Sequence, residues 1–468
     1  MTDPTPAAPD RTPFGVTFGP VDDRTPQQRE ADRASISAQV DEMLRTGSKK
    51  RTRARVLTAM GERRKDAADH LKFDVLPAPG GRDVLATRER LVMRASTLAD
   101  EDVRARLREL HLDPDSAEPV PGLDGLLARI VVPGASTALL RHLVGRLATL
   151  GVEVELSHVA DQQGKGEAKV VVKKTTGPAT ASTGAPAAPA AGPASPPAPA
   201  PSRRTVKVAV IDSGIARRPR TDGWLSGIAV TDDNVDRLDH LPEPNGFLDL
   251  GAGHGTFVAG VIQQVAPHAD IAAVRALDTD GIGCAVDVAA AIVAAARDGA
   301  EVINLSFGVQ TDGDRPPLPF VVALEILAGM DRDVVLVAAA GNFGNDRETW
   351  PAAFDSVLAV GGLTQRLAPA VWSTRGSWVD CSTIAEGVRS TFPEGTSDLA
   401  FDPEPDTYGP DAWAFWTGTS FAAPQVAGAI AHLAGTYGVA ASVARDMLLA
   451  GCETIPGYGR KLEILAPV

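Results

Sequence analysis

Two textures of hydrophobic and polar positions divide this chain. Between residues 88 and 159 the apolar positions alternate or recur at helical spacing. Residues 88–95 alternate like a strand with one buried face. Residues 98–112 place Leu98, Val103, Leu107 and Leu110 on one stripe of a charged helix, and 136–150 do the same with Leu139, Leu140, Leu143 and Leu147. Short strands are predicted at 119–123 and 126–132, with a last alternating one at 152–159. The order β-α-β-β-α-β is the ferredoxin-like arrangement. Upstream, 27–44 and 49–71 read as charged helical segments behind a disordered stretch, 1–25.

From Thr205 onward the apolar positions run together instead. Residues 205–211 form a continuous β-branched and apolar run, as in a parallel strand buried on both faces. Apolar helices are predicted at 257–265, after a glycine-flanked turn, and at 421–435. Such strands and helices predict an α/β fold with a mainly parallel sheet. Residues 176–202 are almost wholly Ala, Pro, Gly, Ser and Thr, which cannot build a core and read as an extended spacer. Four segments follow: 1–87, a disordered N-terminus and charged helices; 88–160, a small ferredoxin-like α+β domain; 161–204, a linker; and 205–468, the α/β domain.

Charge sharpens this division. The chain carries a formal net charge of −13, yet residues 1–160 are balanced, with 24 basic and 24 acidic groups. Residues 205–468 hold 16 basic and 33 acidic groups, a net of −17. So acidic a domain argues against a nucleic-acid partner, because phosphate contacts dominate that affinity. The run Lys49-Lys-Arg-Thr-Arg-Ala-Arg55 reads as a solvated helix face. Three cysteines, Cys284, Cys381 and Cys452, are odd in number and lack metal-ligand spacing, which fits a reducing compartment. No run of about 18 apolar residues predicts a membrane span. The polar start at Met1 has no apolar region behind it that would make a secretory signal. A cytoplasmic location without a membrane partner is expected.

Three short blocks bring in the chemistry. They are Val208-Ala-Val-Ile-Asp212-Ser-Gly-Ile215, Gly253-His254-Gly-Thr-Phe-Val-Ala-Gly260 and Gly418-Thr-Ser420-Phe-Ala-Ala-Pro424. A serine hydroxyl becomes a competent nucleophile when an imidazole takes its proton. The imidazole in turn needs a carboxylate to fix its tautomer and stabilise the imidazolium. Ser420, His254 and Asp212 supply these three groups. A fourth block, Ala338-Ala-Ala-Gly-Asn342-Phe-Gly344, offers Asn342 as an oxyanion donor beside the Ser420 N–H. Asp212 is placed at the carboxyl end of its strand, where open α/β sheets build their sites. His254 and Ser420 are placed at helix starts, where free N–H groups and the helix dipole favour developing negative charge.

These blocks, in the order Asp-His-Ser, resemble the subtilisin-like serine proteases, the subtilases of the S8 peptidase family. The likeness extends from Thr205 to the C-terminus. It implies a subtilisin-like three-layer α/β domain and a serine endopeptidase acting on protein or peptide substrates. Glu301-Val-Ile-Asn-Leu-Ser-Phe-Gly308 resembles the family's substrate-binding strand, so Ser306, Phe307 and Gly308 would pair with substrate backbone. Trp350-Pro-Ala-Ala-Phe-Asp-Ser-Val-Leu-Ala-Val-Gly361 and Thr374-Arg-Gly-Ser-Trp-Val-Asp380 are similar to the segments that follow the specificity pocket. Phe257 stands where the family commonly has a second His, and Cys381 where it has a small apolar residue. The long acidic and aromatic stretch 391–416 reads either as a wall of the substrate cleft or as a surface insertion. No cofactor is expected. Calcium stabilises many relatives, but Asp278–Asp280 and Asp232–Asp236 read here as solvated turns without ligand spacing.

The position of the 88–160 domain resembles that of the inhibitory propeptide of many subtilases. It would then act as an intramolecular inhibitor, with a segment such as 162–174 occupying the cleft as a substrate mimic. A docking module for a regulatory partner is the alternative, and a catalytically silent binding protein is a third expectation.

Overall fold

A computed structural model describes residues 18–19, 24–44, 60–62, 64, 70–77, 84–161, 180–181, 202–398 and 405–467. The expectations for residues 1–17, for the basic run 49–55, for 162–174 and for most of the spacer lie outside these residues.

The C-terminal half is built on an eight-stranded sheet. Its path runs β10 (Asp270–Arg275), β7 (Lys207–Asp212), β12 (Val302–Leu305), β13 (Val335–Ala339), β14 (Val357–Leu363), β15 (Cys381–Ile384), β21 (Gly459–Lys461) and β20 (Thr454–Ile455). All pairs are parallel except the last. The unbroken apolar runs are explained by burial on both faces. Val208, Val210, Val335 and Val337 face α4 (His254–Val265) and α7 (Ala423–Tyr437). Ala209, Ile211, Ile303 and Leu336 face α5 (Ala285–Arg297) and α6 (Leu318–Ala328).

The N-terminal sheet is antiparallel, in the order β5 (Glu155–Asp161), β2 (Val84–Arg94), β4 (Leu127–Val131), β3 (Glu118–Pro119), with β1 (Phe73–Leu76) also on β2. On one face lie α2 (Glu101–Glu109) and α3 (Thr137–Thr149), packed on Leu91, Met93 and Ile130. The helix predicted at 98–112 is present but shorter, as α2. A separate turn, Ala95–Leu98, precedes it, and Asp100 accepts the N–H groups of Asp102 and Val103 to start α2. In α3 the buried stripe is Leu140, Leu143 and Leu147, whereas Leu139 is 47% exposed. Val92, Leu127 and Ala160, on the other face of this sheet, join the α5 and α6 core. The two sheets meet edge to edge as well: β5 pairs antiparallel with β11 (Ile282–Cys284), setting Asp161 opposite Ile282 and Val159 opposite Cys284.

Several expectations for the first 87 residues change. Helix α1 (Pro26–Leu44) is present, and its Ile36 packs on Phe415. Phe18 is not loose but buried, its ring 5.5 Å from His432. Helix does not continue to residue 71; Phe73 opens β1, and Met60 and Phe73 are buried with Leu250 and Ile282. Asp278 and Asp280 do not form a solvated turn. Arg64, with no exposed surface, donates to Asp278 Oδ2 at 2.7 Å and to Asp280 Oδ2 at 2.6 Å. A buried charge of this kind requires a partner, and the partner arrives from more than 200 residues upstream.

Candidate active site

Asp212 is the last residue of β7 and is fully buried. Both of its carboxylate oxygens face the His254 ring, Nδ1 lying 2.8 Å from Oδ1 and 2.9 Å from Oδ2. The Ser213 N–H donates to Oδ1 at 2.7 Å. His254 is the first residue of α4, set by Gly253, whose φ of 79° lies in the left-handed region. A Cβ at Gly253 would lie 2.6 Å from Pro393 Cδ, so glycine is required there. At Gly255 a Cβ would come within 2.1 Å of the Gly214 carbonyl oxygen. The turns carrying Asp212 and His254 therefore touch backbone to backbone.

Ser420 does not open the long helix directly. It sits in a 3-10 turn, Thr419–Phe421, that leads into α7. Its Oγ donates to the Ser306 carbonyl at 3.1 Å, while Ser306 Oγ donates to the Ser420 carbonyl at 2.8 Å. Asn304 Nδ2 donates to the same Ser306 Oγ at 2.9 Å. Ser306, which the sequence offered as a substrate contact, thus also clamps the serine turn through its side chain. Phe307 is buried, and just beyond Gly308 the Val309 backbone pairs with Trp350. Asn342 accepts through Oδ1 from the Thr419 N–H at 2.8 Å and the Thr419 hydroxyl at 2.9 Å. Its Nδ2 is left facing Gly418, where an added Cβ would lie 3.2 Å away.

Aromatic rings close the far side of His254. Trp416 stands edge-on with centroids 5.2 Å apart, and Phe421 is tilted against it at 5.2 Å. Phe257 supports both, 4.7 Å from Phe421 and 5.6 Å from Trp416. The stretch 391–416 therefore reaches the site: β19 (Trp413–Trp416) pairs with β16 (Val388–Thr391) and delivers Trp416 to the imidazole.

Behind the Asp212–His254 pair lies a second buried carboxylate, Asp236, in a segment expected to be solvated. It is 2% exposed because β9 (Val235–Asp236) pairs with β8 (Ile215–Ala216) directly after the Asp212 turn. Asp232, at the other end of that segment, is exposed and paired with Arg217. Asp236 accepts from Ser213 Oγ at 2.9 Å, the Gly253 N–H at 2.8 Å and the Leu238 N–H at 3.0 Å. Burial, with a smaller contribution from the Asp212 charge, pushes its carboxyl up to about 6. The sequence offers Asp236 only as the end of a solvated turn and Trp416 only within an aromatic stretch, since each acts through contacts made only in the fold. Among the described residues, no group of three or more His, Cys, Asp or Glu side chains gathers as a metal site requires.

The family model described as "Subtilase family" matches residues 203–444, more than half of the chain, and that span contains Asp212, His254, Asn342 and Ser420. The chain belongs to the subtilase family of serine endopeptidases. This subtilase is 35% identical over 242 residues to a thermophilic serine proteinase of Bacillus sp. (strain AK1), covering 49% of this chain and 52% of that protein. It is 32% identical over 266 residues to thermitase of Thermoactinomyces vulgaris, covering 54% of this chain and 83% of thermitase. Subtilisin BL of Lederbergia lenta is 32% identical over 235 residues, 48% of this chain and 75% of that protein. The chain thus spans about half the length of the Bacillus proteinase and most of thermitase.

Proposed function

We propose that this subtilase hydrolyses peptide bonds through an acyl-enzyme and that its N-terminal half regulates it. The supporting observation is the buried His254–Asp212 pair beside a serine turn clamped by Ser306 and Asn342. In this scheme Ser420 Oγ turns from the Ser306 carbonyl to His254, gives up its proton and attacks the substrate carbonyl. His254 then passes that proton to the leaving amine, and Asp212 holds the ring and the imidazolium charge. Asn342 Nδ2 and the Ser420 N–H receive the oxyanion. One such donor is worth about 3–4 kcal/mol, a figure known from a subtilisin rather than derived for this chain. Substrate backbone would lie along Ser306-Phe307-Gly308. Water completes the cycle by the same steps in reverse.

The N-terminal half fits a ferredoxin-like inhibitory domain. Its sheet order β5–β2–β4–β3, with two helices on one face, supports this assignment. So does the seam at β11, because the loop preceding Ile282 touches the histidine turn, Gly251 N–H donating to the Thr279 carbonyl at 2.8 Å. The segment after Asp161 is the proposed substrate mimic, and the boundaries 88–160, 161–204 and 205–468 are the proposed domain limits. Three free cysteines fit a reducing, cytoplasmic setting. A docking module that awaits a partner is the second reading, and the length of the linker after Asp161 favours it.

Mass spectrometry of purified wild type beside Ser420→Ala tests the scheme. Cleavage between residues 162 and 204 in the wild type alone is the expected result. Removing the nucleophile lowers kcat by about a million-fold in a subtilisin, and a loss of that order is expected here. An uncut and inactive wild type excludes the self-processing arm and leaves partner gating, and an uncut, fully active wild type excludes regulation by the N-terminal half. Equal peptidase activity in both proteins excludes Ser420 as the nucleophile.

A further inference from the structure

We infer that Asp236 is a positioning residue for the reaction, the carboxylate that locks the histidine turn onto the aspartate turn. This deepens the catalytic assignment above and rests on it.

The geometry forms a closed link. Ser213 follows Asp212 directly, and its hydroxyl donates to Asp236 while accepting the Gly255 N–H at 3.1 Å. Asp236 also takes the Gly253 N–H on the other side of His254. The residues on both sides of His254 are thereby tied, through Ser213 and Asp236, to the residue after Asp212. Within this link the Gly214–Gly255 backbone contact leaves no slack. Loss of the link lets the imidazole shift against the carboxylate, and a displacement of about 1 Å lowers rate by about 10²-fold.

The charge itself is not what stabilises the fold. Burial opposes the charge on Asp236, which the unfolded chain carries in water at no such penalty. The charged group facing it is Asp212 on β7, and His254 lies one residue beyond Gly253. Arg237, next in the chain, directs its guanidinium to the His240 ring. All of its named partners are donors, so an amide in its place turns an N–H toward at least one of them. The ties it makes on both sides of His254 give the buried carboxylate its use here.

The test compares full-length wild type, Asp236→Asn and Ser213→Ala. A pool of peptide p-nitroanilides reports turnover, and a fluorophosphonate probe reports whether Ser420 reacts. We expect Asp236→Asn to lose about 10²-fold in kcat with KM changed less than about twofold. Its Tm at pH 8 should stay close to that of wild type, relief of the buried charge offsetting the misdirected amide, and should fall behind wild type as pH drops through 6. Ser213→Ala should fall in the same direction, and the double variant should lose no more than Asp236→Asn alone. On the acid side, wild-type kcat/KM should fall with two protonations and Asp236→Asn with one. Asp236→Asn with unchanged kcat, or with losses in kcat and Tm together, overturns the positioning role. A wild type that stays inert to both peptides and probe after limited proteolysis has removed the N-terminal half overturns instead the assignment beneath it.

Discussion

The two sheets of this subtilase are covered in different ways. The parallel sheet finds both of its layers in its own half, α4 and α7 on one face and α5 and α6 on the other. The N-terminal sheet brings only one layer, α2 and α3. Its second face lies on α5 and α6, which thereby serve as a shared middle layer between the sheets. One half is complete in itself, and the other is completed by docking. Regulation by the N-terminal half would then draw on the same apolar packing that builds a core, and not merely on a tether.

That contrast can be broken most strongly at Arg64. Arg64→Met leaves the fully buried Asp280 and the partly exposed Asp278 without their guanidinium, a loss of about 3–5 kcal/mol. Urea melts should show it, with faster hydrogen exchange at residues 70–77 and 278–282. Unchanged exchange there would mean that strand pairing and the shared apolar layer join the halves without the Arg64 link. A smaller effect is expected at Leu127, which is fully buried in the shared layer. Leu127→Ala should cost about 2–4 kcal/mol and loosen the N-terminal sheet before the parallel one. Proteolysis that cuts both sheets at equal rates would contradict the asymmetry.

Glu155 gives the gentlest handle. Its carboxylate accepts the Leu318 N–H at the start of α6, at 2.9 Å, and burial pushes it up to about 7 despite that bond and Arg315. The docked chain therefore holds a proton that a free Glu near 4.5 has released. Docking is favoured below that range and weakens as pH rises from 4.5 through 7. Glu155→Gln should remove this dependence, tightening docking by on the order of 1–3 kcal/mol at pH 8 and changing little near pH 4. Stability of the N-terminal sheet, followed by hydrogen exchange across pH, checks it. A wild type whose docking is flat from pH 4 to 8 would assign the interface wholly to apolar packing.

Much of this contrast was legible in the residues. Runs such as 205–211 announced a sheet buried on both faces, and the Asp, His and Ser blocks carried their own turns. The antiparallel strands from β2 to β5 and α3 lie within a few residues of the limits their patterns predict, but β1, only four residues long, does not stand out in the sequence. Carboxylates were less legible. Asp236, Asp278 and Asp280 sit in polar, turn-like sequence, and nothing local reports that Arg64, Ser213 or a backbone N–H will close over them. Leu139 shows the reverse case: it fits the apolar stripe by spacing, yet α3 is turned so that Leu140 takes the core. Trp416 was noticed only as one aromatic among several, because its neighbour His254 lies far away in sequence.

The shared layer also imposes a schedule on the ribosome. The N-terminal sheet is finished at Asp161, but α6, the last of the helices that cover its second face, ends at Ala328. At ordinary synthesis rates that interval lasts roughly 10–30 s. Through it Val92, Leu127 and Ala160 wait uncovered on the nascent chain, a sticky surface that a holding chaperone would recognise before the rest of the enzyme exists.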